Sequence, residues 1–399
     1  MTTKPVVIAG AGAAGLSLAV HLLDSGWTDP LVLVEPREHY RDDRTWCYWH
    51  FGDHPFEGCV SRRWRRWRLR AADRDVVSGS TQHPYCHIRG GDFYDHALER
   101  LRSHRQVHLE LGARVIDVED KADGVRVETT GGVIDGRYLF DSRPTPVADG
   151  LIQHFAGLFV RAEADVFDPS TPTLMDFQAI RPTVDGVPLT GVHFIYLLPF
   201  SAREALVEST LLTPRDEFSG LASVETGHVN AALAYLERDY PAAHVAVLRR
   251  ERGAIPMAIP AEVRSTPSPD FPKRRSHRPS AVIPIGTAAG CARPSSGYAF
   301  DAIQRTSGAM ARALTLGHDP RDVQVWRRRA RWLDRIFLSF LESRPELAPS
   351  VFTSLFDHLP GDLMPRFLSD RESIPEVIRM MSAMPVGVFT REWLRVQTA

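Results

Sequence analysis

The chain has 399 residues, of which 43% are hydrophobic and 24% charged, with a formal net charge of −1. That length allows two or three domains with large buried cores, and the near-neutral balance gives no reason to expect nucleic acid or a polyanionic partner. The four cysteines, Cys47, Cys59, Cys86 and Cys291, include no CxxC pair and are too few for a disulfide scaffold, so they read as free thiols of a reducing cytoplasm, and no metal site is expected.

Val6 to Ala9 is a short β-rich run. It leads into Gly10-Ala-Gly12-Ala-Ala-Gly15, then an apolar helical pattern through Leu16, Leu18, Ala19, Leu22 and Leu23, then a second strand from Leu31 to Val34 closed by Glu35. Glycines interrupt the apolar stretch, so it reads as a folded strand and helix and not as a signal peptide. The unit carries a dinucleotide fingerprint. Gly10 allows the tight turn, Gly12 lets a pyrophosphate approach the backbone at a helix N-terminus, and Gly15 permits close helix-strand packing. Glu35, about 20 residues further on, stands where a carboxylate can bind a ribose hydroxyl.

Asp43 to His50, DRTWCYWH, places Trp46 and Trp49 in a dense aromatic segment, suited to a core or to the wall of an apolar cavity. Arg62 to Arg70, RRWRRWRLR, alternates arginine and aromatic residues. It reads either as a twisted edge strand with one aromatic face or as a surface for lipid headgroups or phosphates. A helical pattern over Asp92–Arg102 precedes short strands around Val107–Leu111, Arg114–Val118 and Val125–Glu128. The apolar strand ending Tyr138-Leu-Phe140-Asp141 marks a return to the first domain, with Asp141 near the nucleotide.

From Gly150 to Arg250, spaced strands over Phe155–Val160, Thr173–Phe177, Phe194–Leu198 and Ala205–Leu212 predict a mainly antiparallel sheet. The last two, joined through Pro199, Phe200, Ser201 and Arg203, read as a β-hairpin. The period-2 rule then puts Leu206, Glu208, Thr210 and Leu212 on one face. A glutamate among apolar neighbours either points to solvent or, once buried, has a raised pKa and can donate a proton near neutrality. A helix over Val224–Arg238 follows, then an extended segment over Arg249–Pro256 broken by proline, and a surface loop from Pro260 to Pro279.

A strand over Val282–Ile285, a loop GTAAGCARPSSGY and a helix over Ala299–Leu316 form a second place where backbone N–H groups can face an anion or an electron-rich ring. Its Gly286, Gly290, Pro294, Gly297 and Tyr298 are expected to contact the cofactor. Asp301, in the first helical turn, either complements the helix dipole or serves as a second acid or base. The tail from Trp326 to Gln397 reads as helices rich in Phe, Leu and Met, either a cap over the substrate domain or a membrane-facing lip. No apolar run approaches the ~18 residues of a membrane span, so any membrane contact is expected to be peripheral.

Taken together, these segments resemble the flavin-dependent lycopene cyclases of carotenoid-making bacteria and plants, nearly end to end. GAGAAG is similar to that family's dinucleotide loop, DRTWCYWH to its Asn/Asp-x-T-W segment, LMDF at Leu174–Phe177 to its M-D strand, and GAIP to its G-A-[LI]-P element. GTAAGCARPSSGYAF is similar to its A-G-x-x-[HR]-P-[ST]-[ST]-G-Y loop. LVEST matches its F-L-E-E-T motif, which carries the essential first acid onto Glu208 and leaves Ser209 where a second acid often stands.

The resemblance implies an α/β fold. It would comprise a discontinuous Rossmann-type FAD-binding domain (1–150 and 281–318), an inserted mainly antiparallel substrate domain (151–280) and a C-terminal helical cap (319–399). It implies a cytoplasmic enzyme, free or peripherally membrane-associated, that uses reduced FAD, with NADPH as reductant, for the non-redox cyclisation of a linear hydrophobic polyene, lycopene foremost. Glu208 would protonate a terminal double bond, Asp301 would replace the acid lost at Ser209, and Trp46, Trp49 and Tyr298 would face the cation. Two alternatives share these features: the same chemistry on another terpenoid polyene, and an FAD-dependent monooxygenase, which would differ in redox stoichiometry.

Overall fold

Val6–Ala9 is apolar on both faces because both faces are covered. In the computed structural model, which describes residues 3–144, 149–258, 280–384 and 386–398, this strand is the centre of a parallel sheet. The sheet order is Val282–Pro284, Tyr138–Asp141, Val6–Ala9, Leu31–Glu35, Val107–Leu111. Val6 and Ile8 pack under the helices Ala13–Asp24 and Phe300–Thr315. Val7 and Ala9 pack against a small antiparallel sheet through Val125 and Val127. The strand Val282–Pro284 pairs in parallel with Tyr138–Asp141, so both ends of the chain build one nucleotide-type sheet and bring both glycine loops to its carboxyl edge. The loop expected from Pro260 to Pro279 lies outside the described residues.

The second layer is a seven-stranded sheet in the order Val245–Met257, Leu151–Ala162, Glu204–Pro214, Val192–Pro199, Thr173–Asp176, Arg66–Ala71, Arg74–Gly79. It is antiparallel except where Thr173–Asp176 runs beside Arg66–Ala71. The hairpin has the expected alternation: Glu208 pairs with Tyr196 and Leu212 with Val192. Both faces are covered. Ala205, Val207 and Ile195 pack toward the helix Leu221–Asp239, and Leu206, Leu212 and Phe194 toward the C-terminal helices. These helices span Arg328–Ser343, Ala348–His358, Leu363–Leu368, Ile374–Ser382 and Val386–Thr398.

The run RRWRRWRLR is not one edge strand. It divides at Arg65 between Val60–Trp64, in a three-stranded sheet with Thr45–Trp49 and Tyr85–Arg89, and Arg66–Ala71 in the large sheet. Trp64 and Trp67 are buried, Trp64 donating its indole N–H to the Pro169 carbonyl at 3.0 Å and Trp67 packing edge-on to Trp49 at 4.5 Å. The tryptophans therefore face the core and leave no aromatic surface here for lipid. The hairpin Arg66–Gly79, although early in the chain, belongs to the antiparallel sheet and contacts the helix Ala348–His358.

Candidate active site

At the first glycine turn, Gly10 has φ +86° and a Cβ there would collide with Ser142 Oγ; a Cβ on Gly15 would lie 2.0 Å from the Gly10 carbonyl oxygen. Both positions are closed by the fold itself. Gly12 differs, since its nearest obstacle is Arg37 Nη2 at 3.8 Å. The helix that Gly12 opens has no side-chain cap and no acid in its first turn, so its first N–H groups are free to meet an anion. Beside them the buried Glu35 accepts from Ala11 N–H at 2.7 Å and from Arg37 Nε at 2.8 Å. Burial opposes its ionisation, but the Arg37 hydrogen bonds and charge outweigh this and hold its carboxyl below the usual range. These residues suit a dinucleotide, the pyrophosphate at Gly12 and a ribose at Glu35. Asp141 sits at the neighbouring strand end, clamped by Arg143 at 2.7 Å, and does not line the cavity described next.

A cavity of about 610 Å³ starts at Gly12, Ala13, Ala14 and Ser142 and passes under the second glycine loop at Ser296, Gly297 and Tyr298. Gly290 and Gly297 are left-handed, at φ +78° and +73°, and a Cβ on Gly297 would come 2.8 Å from Gln153 Oε1, so the loop lies almost on the sheet. Pro294 is buried within it. The preceding Arg293 is fully buried and ion-paired with Asp334 at 3.1 Å, tying the loop to the helix Arg328–Ser343. From there the cavity runs along the seven-stranded sheet to an apolar wall that includes Phe337, Phe352, Phe356, Phe367 and Met384.

The cavity floor is built of rows of residues in register across four strands. One row is Tyr196, Glu208, Gly157, Glu251 and the next is Phe194, Thr210, Phe155, Gly253. Glu208 and Glu251 are 8% and 7% exposed, and both line the cavity. Between them stands a residue with no side chain: a Cβ on Gly157 would lie 3.5 Å from Glu208 Cβ and 3.2 Å from Glu251 Cγ. Burial, and then the nearby Glu251 charge, push the Glu208 carboxyl up to about 8, against one hydrogen bond from Thr210 at 2.8 Å. Burial also raises Glu251, to about 7, while Thr45, donating at 2.8 Å, and Arg249, at 3.4 Å, act in the opposite direction. At neutral pH Glu208 is therefore a neutral acid in an apolar cavity.

Three phenols meet beside this row. Tyr85 shares hydrogen bonds with Tyr196 at 2.7 Å and Tyr298 at 3.0 Å, and burial raises all three well above the usual tyrosine range. Trp46 stands on the cavity wall. Trp49 lies behind it, packed on Trp67 and Tyr85, each at 4.5 Å. Asp301 is not brought to Glu208. It pairs with Arg371 at 3.2 Å and faces a separate void of about 10 Å³. Ser209 points to the opposite face, as the alternation of a strand requires, and there its hydroxyl lies 2.8 Å from His228 Nδ1 and 2.9 Å from His193 Nε2. His228 Nε2 is in turn 2.8 Å from His154 Nδ1. Burial pushes His193 and His228 down to about 3, so the chain of imidazoles is neutral. Asp176 of the M-D strand is likewise a buried structural acid, held by Arg70 at 2.8 Å and Tyr235 at 3.0 Å. The ligand atoms of His50, Asp53 and Glu57 lie within 4.8 Å of one another away from the cavity, but Arg63 already pairs with Glu57 at 2.5 Å.

Glu251, Tyr85 and Tyr196 line the cavity and are the candidate side chains that sequence reasoning missed, whereas Tyr298 was expected there. Glu251, Gly253, Ile255 and Met257 alternate onto the cavity face, so the period-2 rule used for the hairpin contains the signal.

A family model described as "Lycopene cyclase protein" matches residues 5–392. A curated lycopene beta-cyclase of Paracoccus sp. (strain N81106) is 25% identical over 295 residues, which cover 71% of this chain and 69% of the relative. Among solved structures, a flavoprotein/dehydrogenase of Cytophaga hutchinsonii superposes with TM-score 0.58 at 13% identity, over 99% of this chain and 100% of the other. The flavin-dependent monooxygenase PieE, solved with FAD and substrate, superposes with TM-score 0.54 at 14% identity, over 98% and 72%. These likenesses establish the fold as that of FAD-dependent oxidoreductases and monooxygenases, a parallel nucleotide-type sheet joined to a large antiparallel one.

Proposed function

This chain belongs to the lycopene cyclase family, and from that premise we propose that it is an enzyme that closes the end of a linear carotenoid polyene, lycopene, into a β-ionone ring without net redox change. The observation that carries the reading is Glu208, a buried carboxyl whose pKa burial raises, set in the floor of an apolar cavity that begins at a dinucleotide turn. The cofactor that suits the turn is FAD, held by Gly12, the helix N-terminus, Glu35 and the loop around Gly297, with NADPH as the source of its electrons. When bound and reduced, it supplies negative charge beside the cavity.

Glu208 delivers its proton to the terminal alkene, creating a tertiary carbocation. The neighbouring alkene attacks that cation to close the ring, and a ring proton then leaves, so one proton enters and one departs. Burial gives Glu208 the pKa that proton donation near neutrality requires. The faces of Tyr298 and Trp46 on the cavity wall each offer about 0.5 to 2 kcal/mol to a nearby cation. Phe337, Phe352 and Phe356 keep water from capturing it.

Among the described residues no helix is long and apolar enough to cross a membrane. The helix Ile374–Ser382 instead turns Ile374, Ile378 and Met381 outward at 65%, 63% and 46% exposure, one ridge at helical spacing. It directly precedes Met384 of the cavity wall. We take this ridge, with the exposed Arg379 beside it, as the face that meets an anionic bilayer, where a polyene dissolves.

The test is expression in a lycopene-accumulating cell with analysis of the carotenoids. Ring-bearing products from the native chain, and none from Glu208→Gln carrying its flavin, are expected. Oxygenated products formed with consumption of NADPH and oxygen would replace the cyclase reading by a monooxygenase one.

A further inference from the structure

Cyclisation consumes a proton at one carbon and releases one from another carbon of the same six-membered ring. The acid and the base must therefore both reach the same substrate ring. Three other carboxylates near the cavity are placed or occupied otherwise. Asp301 faces a different void, Asp334 is bound through Oδ1 by Arg293 and Ser295 against the second glycine loop, and Asp43 accepts from the Tyr94 hydroxyl at 3.2 Å; the position that follows Glu208 holds Ser209 and no acid.

We propose that Glu251 is the catalytic base of this site, the carboxylate that removes the ring proton, and that Gly157 is the gap through which it and Glu208 face one substrate end. The inference rests on the cyclase reading. Its geometric support is the register: both acids pair with Gly157 from its two sides, and both project to the cavity face. A methyl group at position 157 would touch both side chains and Leu206 Cδ1 at 2.8 Å.

The surroundings divide the roles. Glu208 has one neutral partner, Thr210. Glu251 has the Thr45 hydroxyl and the Arg249 guanidinium, both on Oε2, with Arg44 nearby adding positive charge and Asp42 opposing it. Negative charge is thus favoured on Glu251 and the proton on Glu208, and two carboxyls whose environments separate them in this way divide into base and acid. The balance is complete without an oxidant. The Glu208 O–H bond breaks as the terminal C–H bond forms, the second alkene supplies the pair for the new C–C bond, and the ring C–H pair becomes the ring double bond as its proton passes to Glu251. Return of that proton to Glu208 resets the site.

The test uses the flavin-loaded full chain, prereduced, with lycopene in deuterated water. Glu251→Gln is expected to retain flavin absorbance, to lose ring product by about 100-fold or more, and still to place solvent deuterium in recovered lycopene, because protonation proceeds and reverses. Glu208→Gln is expected to retain flavin absorbance and to give neither ring product nor deuterium-labelled lycopene. Wild-type ring formation by Glu251→Gln, or absence of both ring and deuterium, would overturn the assignment. A native chain that neither cyclises nor labels the polyene would instead overturn the cyclase reading. Should Glu251→Gln fail to fold, Thr45→Val decides. The native rate should rise through about pH 7 as Glu251 ionises and fall above about pH 8 as Glu208 ionises. Loss of the Thr45 hydrogen bond should move the lower limb upward and leave the upper limb in place, and an unmoved lower limb would refute the role.

Discussion

Glu208→Gln should cost the protein its activity and make its fold more stable at alkaline pH. Burial raises the Glu208 carboxyl from 4.5 to about 8. Between these values the folded state holds a proton that the unfolded chain has released, so stability falls as pH rises through that window and stays reduced above it. At about 1.4 kcal/mol per unit, the shift corresponds to roughly 3 to 5 kcal/mol. Glutamine is neutral at every pH and lacks this penalty. Chemical denaturation of both proteins, followed by tryptophan fluorescence near pH 5 and near pH 9, is the assay. The two should differ little at ~pH 5, and the variant should be the more stable by several kcal/mol at ~pH 9. Glu251 adds its own slope to both proteins, and the repulsion between the two carboxylates is part of the difference. An equal difference at the two pH values would mean that Glu208 is not a buried neutral acid, and the proposed proton donor would be lost with it.

Gly12→Val should leave the unfolding midpoint of the flavin-free protein nearly unchanged and weaken flavin retention at least ten-fold, since its side chain would point into space the protein does not fill. Gly15→Ala should prevent folding, because its Cβ would lie 2.0 Å from the backbone Gly10 carbonyl oxygen and 3.0 Å from Ile8 Cγ2. Soluble yield and flavin absorbance separate the two. Ser209→Ala should destabilise by about 1 to 3 kcal/mol, measured by denaturation, because two buried imidazoles lose a partner; it should leave the product unchanged, since Ser209 is outside the cavity. Ile374→Glu with Ile378→Glu should reduce co-sedimentation with vesicles containing anionic phospholipid and leave cyclisation of detergent-dispersed lycopene intact; unchanged sedimentation would remove that ridge from the membrane face.

The glycine turn and the hairpin were legible because both are local. In Val6–Glu35 the turn residues, the helix and the ribose-side acid follow one another in the chain, and in Ala205–Leu212 strict alternation places Glu208 and Ser209 on opposite faces. Glu251 was not legible in the same way. Its significance depends on Gly157, 94 positions earlier, through a pairing register that no local pattern encodes. The same limit explains Asp301, whose place in a first helical turn is visible while its partner Arg371 is not. It also explains RRWRRWRLR, where an unbroken pattern spans a change of sheet at Arg65. Trp46 and Trp49 stand three residues apart on one strand, and the sheet separates them, one to the wall and one to the core behind it.

The proposed ring closure is initiated by a proton from Glu208 and oxidises nothing. Its most direct measurement is a single-turnover reaction of the purified, prereduced protein with lycopene in deuterated water under anaerobic conditions, analysed for ring product, isotope content and flavin oxidation state. The expected result is a β-ionone ring carrying one solvent deuteron, with the flavin still reduced at the end. Ring product without solvent deuterium, or product formed only with oxygen and in proportion to NADPH consumed, would contradict it.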